Sequence, residues 1–138
     1  MIPFLNLKRE NDRYASEINE AVSRVVSSGW YILGEEKERF EKEFAQYCGT
    51  QYSIGVGNGL DALRLILMAY IELGVMEEGD EIILPANTFI ATALAVSQCN
   101  LTPVFADCDI ISYNIDPESI RKKITNKTKA IIAVHLYG

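Results

Sequence analysis

The pattern of apolar and polar residues changes in character at Gly49. Before it, apolar residues recur every three or four positions, which predicts amphipathic helices behind a short extended arm at 2–7. The two predicted helices run from a cap at Asn11 or Asp12 to Gly29, and from Glu35 to Tyr47. After Gly49 the helical period gives way to short, continuous apolar runs that alternate with longer helical segments.

That alternation predicts a repeated β-α-β unit. The apolar runs predict buried strands at 52–56, Glu81–Leu84, Pro103–Ala106 and Lys129–Val134. The intervening segments predict helices at 60–73, Phe89–Cys99 and from Pro117 to about Ile124, the first of them apolar on nearly every side and therefore well buried. Continuous apolar strands joined by helices are typical of a mainly parallel sheet with helices on both faces. We expect an α/β protein, with residues 1–50 forming an arm and two helices and residues 51–138 forming α/β structure.

Composition and charge narrow the possible partners. The 138 residues are 49% hydrophobic and 23% charged, as in an ordinary globular protein with room for about one domain. The net charge is −6 and no basic block occurs, which argues against nucleic acid or an anionic membrane as a partner. The chain shows no signal-peptide pattern and no apolar run of about 18 residues, so we expect a soluble, cytoplasmic protein. The cysteines, odd in number and without C-x-x-C spacing, are expected to be reduced core residues.

Three glycines follow the first predicted strand and precede the long helix, at positions 55, 57 and 59. Unpaired backbone N–H groups at the positive end of a helix dipole form an anion site. Gly57, Gly59 and Ala62 match the dinucleotide fingerprint, but that fingerprint needs an acid after the next strand, where Pro85-Ala86-Asn87 stands. A simple phosphate cradle is favoured over a dinucleotide site or a bare structural turn. A Walker loop is excluded, because no Gly-Lys-Ser/Thr follows.

The other predicted strand ends also carry candidate residues, and ligands collect at the carboxyl ends of parallel strands. Phe89 either lies over a flat ligand ring or is one more core phenylalanine. His135 is the only histidine and stands at a strand end beside Tyr137. Asp107-x-Asp109 resembles a metal-holding pair but is more typical of a solvated turn, so we assign no metal site.

Several segments in this order and spacing identify a family. They are Ile2–Leu7, Ser28–Gly34, Gly57–Leu63, Pro85–Thr92 and Thr128–Gly138. Together they resemble the start of the DegT/DnrJ/EryC1/StrS sugar aminotransferases, which are pyridoxal-phosphate (PLP) enzymes of the aspartate-aminotransferase fold. The resemblance covers essentially the whole chain. Gly57–Asp61 is most similar to the subgroup that acts on dTDP-3-keto-6-deoxyhexoses.

The resemblance implies a role for each candidate residue. Gly59 and Leu60 would bind the cofactor phosphate through backbone N–H groups, although Leu60 replaces a threonine whose hydroxyl contacts phosphate in many relatives. Phe89 would stack on the pyridine ring, with Thr92 one helical turn beyond it. Tyr31 and His135 would face the substrate. The Trp30-Tyr31 segment would either pack on the first two helices or complete a partner subunit's pocket in a homodimer.

The resemblance also implies what these residues lack. In the family, the Schiff-base lysine and the carboxylate that pairs with the pyridine nitrogen lie beyond the position of Gly138. The lysines near the end match no family lysine: Lys122, Lys123, Lys127 and Lys129. We therefore expect an N-terminal part of the large domain, inactive alone. The intact enzyme would move an amino group from an amino acid, expected to be glutamate, to a nucleotide-linked keto-deoxysugar. A non-catalytic PLP- or nucleotide-sugar-binding regulator and a Rossmann-type nucleotide-binding domain are the alternatives.

Overall fold

A computed structural model of the chain describes residues 3–137. The structure divides into two compact units, one ending at Gly55 and one beginning at Val56. The first unit holds α1 (Leu7–Asn11), a 3₁₀ turn (Asp12–Tyr14), α2 (Ala15–Ser28) and α3 (Glu35–Cys48). The second holds α4 (Gly59–Glu72), β1 (Glu81–Pro85), α5 (Ala91–Gln98), β2 (Thr102–Ala106), α6 (Pro117–Lys123) and β3 (Thr128–Ile131).

The helices of the first unit end where the sequence predicts. Gly29 follows α2 and Gly49 follows α3, and both adopt a left-handed backbone, with φ of 69° and 68°. Glycine takes this conformation without a steric penalty, which makes it a common helix terminator. The first helix starts differently from the prediction. Helical structure already begins at Leu7, because the side chain of Asn6 accepts a hydrogen bond from the backbone N–H of Arg9. The predicted arm is therefore shorter, and its residue Ile2 lies outside the described residues.

Glu41, a residue of α3, forms a hydrogen bond to Gly55 at the end of the first unit. Its Oε1 accepts a hydrogen bond of 2.6 Å from the backbone N–H of Gly55, and its Oε2 lies 2.8 Å from the Lys37 ammonium. Hydrogen bonding to Lys37 and then to Gly55 lowers the pKa of the Glu41 carboxyl below its usual range. The charged form is the one that these contacts favour.

Acid should therefore weaken the contacts of Glu41 with Gly55 and Lys37. A carboxyl whose pKa is lower in the folded state stabilises the fold above its ordinary pKa, and that contribution is lost as the pH falls through the folded-state value. Glu41→Gln should remove this part of the acid dependence while leaving side-chain size unchanged. Urea titration followed by the fluorescence of Trp30, the single tryptophan, measures the free energy of unfolding at neutral pH and at pH values below the ordinary carboxyl range. Glu38→Gln on the same helix is the matched control. An unchanged acid limb in Glu41→Gln would contradict the prediction.

The second unit contains a three-stranded parallel sheet in the order β2-β1-β3. The chain moves one way along the sheet from β1 to β2 and the other way from β2 to β3. Crossovers between parallel strands are right-handed, so α5 and α6 cover opposite faces. This confirms the predicted α/β class with a parallel sheet. In the ladder, Leu84 pairs with Phe105, and the register of β1 against β3 shifts between Glu81 and Ile82.

The predicted strand at 52–56 is wrong: these residues carry no strand. Tyr52, Ile54 and Val56 are exposed, and the backbone N–H of Gly55 bonds to a side chain instead of a strand. A strand needs a neighbouring backbone to pair with, and the described residues offer none there. An apolar run alone does not supply one.

The core of the second unit lies on β1. Ile82, Ile83 and Leu84 are fully buried. A cluster packs around one face of the strand, made of Leu67, Met76, Ala95, Val96, Cys99 and Leu101 together with Ile82 and Leu84. The expectation that the long apolar helix is well buried is wrong. Only Leu67 of α4 is buried, because α4 meets α5 along one side. Leu65, Ile66 and Met68 are exposed.

The three cysteines are free, but only Cys99 fits the expectation of a core residue. Burial raises the pKa of its thiol. Cys48 is exposed and Cys108 is half-buried. Among residues 3–137, none of the helices has the length and apolar character that crossing a bilayer requires.

Candidate functional site

The turn before α4 leaves two backbone donors free. The Asn58 side chain caps the helix, since its Oδ1 accepts a 2.9 Å hydrogen bond from the N–H of Asp61. The N–H of Ala62 bonds to the carbonyl of Asn58 at 3.0 Å. The N–H groups of Gly59 and Leu60 therefore remain without an acceptor among the described residues, at the positive end of a helix of 14 residues.

The surroundings of this turn combine one acidic side chain with open space at Gly59. The carboxylate of Asp61 accepts a 2.9 Å hydrogen bond from Asn58 Nδ2, and its Oδ1 lies 3.6 Å from Arg64 Nη2, so these two groups partly offset its negative charge. Gly57 lies close to this carboxylate, because a Cβ at position 57 would come within 3.2 Å of Asp61 Oδ2. A Cβ on Gly59 would meet nothing within 4 Å. The space beside Gly59 is therefore open, as an anion bound by the backbone donors would require.

A cavity of about 690 Å³ lies at the carboxyl edge of the sheet. Its lining comes from the segments that follow the three strands: Asn87, Thr88 and Phe89 after β1, Ser112 and Tyr113 after β2, and Leu136 and Tyr137 after β3. The strands are parallel, so their carboxyl ends meet at one edge, as the sequence predicts. The Phe89 side chain is 76% exposed and offers its ring to this cavity rather than to the core.

A short hydrogen-bonded segment holds Phe89 in place. The hydroxyls of Thr88 and Thr92 lie 2.9 Å apart, and the N–H of Thr92 donates to the carbonyl of Phe89 at 3.1 Å. Thr92 is buried, and α5 begins at Ala91 rather than at Phe89 as predicted. Phe89 therefore stands just outside the helix, on a turn fixed from both sides. The predicted contact of Thr92 with a cofactor stays a prediction.

The aspartates after β2 bond to their own surroundings. The backbone N–H of Asp107 donates to the buried Ser119 hydroxyl at 2.9 Å, which joins the end of β2 to α6. Asp109 accepts hydrogen bonds from the N–H groups of Ile111 and Ser112. These contacts with Ser112, and then with Ile111, lower the pKa of the Asp109 carboxyl. Within residues 3–137 the structure shows no group of three or more side chains suited to a metal ion.

The structure brings only some of the predicted residues together. Phe89 shares its cavity with the segment that ends in Tyr137, whereas Gly59, Leu60 and the exposed His135 are not part of the lining. Tyr31 belongs to the first unit, where it lines a separate cavity of about 380 Å³ with Trp30 and Arg24. Sequence reasoning missed Ser112 and Tyr113. The spacing of Asp109 from Ser112 and Asn114, typical of a side-chain-capped turn, was the signal that could have revealed them.

Fold and site together define a class: an α/β protein with a parallel sheet, a helix start with free backbone donors, and an aromatic-lined cavity at the carboxyl edge of the strands. Residues 12–138 match the DegT/DnrJ/EryC1/StrS aminotransferase family. The chain belongs to this family.

Relatives with known names or structures agree with this assignment. The chain is 57% identical over 138 residues to the dTDP-3-amino-3,6-dideoxy-alpha-D-galactopyranose transaminase of Aneurinibacillus thermoaerophilus. The matched region covers 100% of this chain and 37% of that relative. Among solved structures, S. venezuelae DesV in complex with a ketimine intermediate is 44% identical with a TM-score of 0.90, over 99% of this chain and 36% of that one. NtdA from Bacillus subtilis, with bound cofactor PMP, is 36% identical with a TM-score of 0.86, over 99% of this chain and 31% of that one.

The chain therefore spans only about a third of the length of these relatives. Over that third, the backbone agreement with DesV shows that the chain has the fold of a solved aminotransferase of this kind.

Proposed function

We propose that the protein is a PLP-dependent aminotransferase that moves an amino group from an amino acid, glutamate, to a nucleotide-linked keto-deoxysugar. The observation that carries the proposal is the exposed ring of Phe89, held on a fixed turn in a cavity at the carboxyl edge of the sheet. An aromatic ring in the lining of a cavity is suited to stacking on a flat ligand. The names of the transaminase relative and of the PMP-bound structure support the same reading.

The described residues fit the cofactor in two respects. The free N–H groups of Gly59 and Leu60 are suited to its phosphate, because anions bind at helix starts through such donors. The ring of Phe89 is suited to stacking on its pyridine. When bound, the cofactor supplies the electron-withdrawing ring that amino transfer needs.

The chain's own residues would bind the cofactor and orient its ring. Asn58 holds the first turn of α4, and so fixes the direction of the two phosphate donors. The pairing of Thr88 with Thr92 fixes the turn that carries Phe89 and thus the plane of a stacked ring. Tyr31 and His135 stay our candidates for contacting the substrate.

No described residue is assigned the proton-transfer chemistry. The lining of the cavity contains no lysine. Lys129, the lysine within β3, lies near the amino end of that strand, with its ammonium 4.0 Å from the buried Asp80. We place the Schiff-base lysine and the carboxylate for the pyridine nitrogen outside residues 3–137.

We further infer a dTDP-linked 3-keto-6-deoxyhexose as the substrate, since the transaminase relative is named for a dTDP-3-amino-3,6-dideoxy sugar. We also propose a homodimer and a cytoplasmic location. Residues 1–50 would form an arm and two helices, and residues 51–138 the first half of the large cofactor-binding domain.

Amino transfer can be tested directly with the complete gene product that carries this chain. The protein is incubated with PLP, isotope-labelled glutamate and a dTDP-3-keto-6-deoxyhexose, and mass spectrometry detects label in an amino-sugar nucleotide. We expect label transfer. Binding of the sugar nucleotide without transfer would overturn the proposal and favour the regulator, and failure to retain PLP would remove the cofactor from it.

Two variants of Phe89 probe the stacking role. Phe89→Leu keeps an apolar side chain but loses the ring, and should weaken PLP retention by roughly two- to tenfold, the worth of an aromatic pair. Phe89→Tyr keeps the ring and is the control. Equal PLP retention in the two variants would count against stacking.

A further inference from the structure

The loop between β2 and α6 forms one wall of the cavity. Residues 109–114, here called the 109–114 loop, contribute Ser112 and Tyr113 to the same lining as Phe89. The geometry points to this loop as the element that recognises the sugar of the nucleotide-linked substrate, with Asp109 as the residue that positions it. This inference rests on the proposed function and names residues for substrate recognition.

Asp109 closes the loop from both its side chain and its backbone. Its Oδ1 accepts hydrogen bonds from the N–H groups of Ile111 at 3.2 Å and Ser112 at 2.8 Å. Its own N–H donates to the carbonyl of Asn114 at 2.9 Å, and its carbonyl accepts from the N–H of Tyr113 at 2.9 Å. One aspartate thus organises the backbone on both sides of the two residues that face the cavity.

The backbone of the loop at Tyr113 has an unfavourable conformation that surrounding contacts must stabilise. Its φ is +58°, in the left-handed region that a bulky side chain rarely adopts. Such a conformation persists only where surrounding contacts enforce it, and it concentrates at functional positions. The loop base is closed by an antiparallel bridge between Cys108 and Ile115 and by the 2.9 Å hydrogen bond from the N–H of Asp116 to the carbonyl of Asp107.

The groups that the loop presents suit a sugar. Ser112 and Tyr113 carry hydroxyls, and Asn87 in the same lining carries an amide, so the lining offers several neutral donors and acceptors beside aromatic rings. The Ser112 oxygen accepts from the N–H of Asn114 at 3.4 Å, so this hydroxyl also belongs to the hydrogen bonds within the loop. The lining includes no lysine or arginine, the usual partners of a diphosphate. The neutral sugar is therefore the part of the substrate that this cavity matches.

Phe89 and the 109–114 loop then have separate roles. The ring of Phe89 is assigned to the cofactor, and Ser112 and Tyr113 to the substrate that must approach it. Loss of the loop's order should weaken substrate binding and leave cofactor binding intact. A merely structural role for Asp109 would affect both.

The test uses steady-state kinetics of the complete gene product with a dTDP-keto-deoxyhexose, and PLP content measured by absorbance. Tyr113→Ala should raise the KM for the sugar nucleotide about tenfold, as expected for a lost aromatic contact and hydroxyl. Asp109→Ala should raise it roughly three- to tenfold, and Asp109→Asn, which keeps an acceptor oxygen, should restore most of the loss. PLP content and the KM for glutamate should stay at the wild-type value. Ile110→Ala, in the same loop but 84% exposed and outside the lining, is the control.

The outcomes separate this inference from the proposed function. Wild-type KM values in Tyr113→Ala and Asp109→Ala would overturn the recognition role while leaving amino transfer established. Loss of PLP in Asp109→Ala, unrepaired in Asp109→Asn, would overturn the positioning role. If the wild-type protein transfers no amino group, calorimetric titration with the sugar nucleotide replaces kinetics, and equal affinities of Tyr113→Ala and wild type would overturn the inference.

Discussion

Replacing Gly59 with proline should lower the affinity for PLP by roughly 10- to 100-fold, the worth of one hydrogen bond to a charged group. Gly59 is the first residue of α4, and its N–H is one of the two donors without an acceptor at the helix start. Proline has no N–H, so the substitution removes that donor and nothing else from the phosphate site.

The helix itself should tolerate the change. Proline is favoured at the first helical position, where the lost N–H has no partner within the helix. The residue before proline must be extended, and Asn58 already is, with φ of −167° and ψ of 175°. A helix-breaking explanation for weaker binding can therefore be checked against an unchanged circular dichroism spectrum.

Gly59→Ala is the matched control for this experiment. It keeps the N–H, and its added Cβ meets no atom within 4 Å. Equilibrium dialysis of PLP against the complete gene product measures the affinity of each variant. If Gly59→Pro binds PLP as tightly as Gly59→Ala, the phosphate does not depend on this donor.

Leu84→Ala should destabilise the fold by about 2–5 kcal/mol. Leu84 is 0% exposed, lies on the central strand and belongs to the main cluster of the second unit. The substitution removes buried apolar volume and leaves a cavity that strands on both sides of β1 hinder from collapsing.

The same chemical change at the surface provides the comparison. Leu73 follows the last turn of α4 and is 74% exposed, so Leu73→Ala should change the free energy of unfolding by at most about 0.5 kcal/mol. Urea titration followed by circular dichroism measures both variants. Similar losses of stability in Leu84→Ala and Leu73→Ala would mean that burial of Leu84 on β1 does not stabilise the fold.

Much of the second unit follows from its sequence. The apolar runs at β1, β2 and β3 predict parallel strands because each is bounded by turns and separated by a helix. Asp116 before Pro117 predicts the start of α6, and the structure shows Asp116 accepting from the N–H groups of Glu118 and Ser119. Local signals suffice here, because a capping side chain and its donor lie a few residues apart.

Other predictions failed where the answer depends on distant parts of the chain. The run at 52–56 has the composition of a strand, yet no backbone among residues 3–137 pairs with it. The helix α4 is apolar nearly all round, yet only one side is covered. Composition reports what a segment is able to bury, and only neighbours decide what it does bury.

The sequence by itself determined the family pattern, the strand segments β1, β2 and β3 and the helix start with its free donors at Gly59 and Leu60, because these depend on patterns within a few residues. The tertiary structure decided which residues share a cavity. It brought Tyr113 into the same cavity as Phe89, 24 positions earlier in the chain, by placing the ends of β1 and β2 side by side. It also placed His135 and the glycine turn outside that lining. The physical reason is that a shared edge of a parallel sheet is made by hydrogen bonds between strands, whose order and register no local pattern specifies.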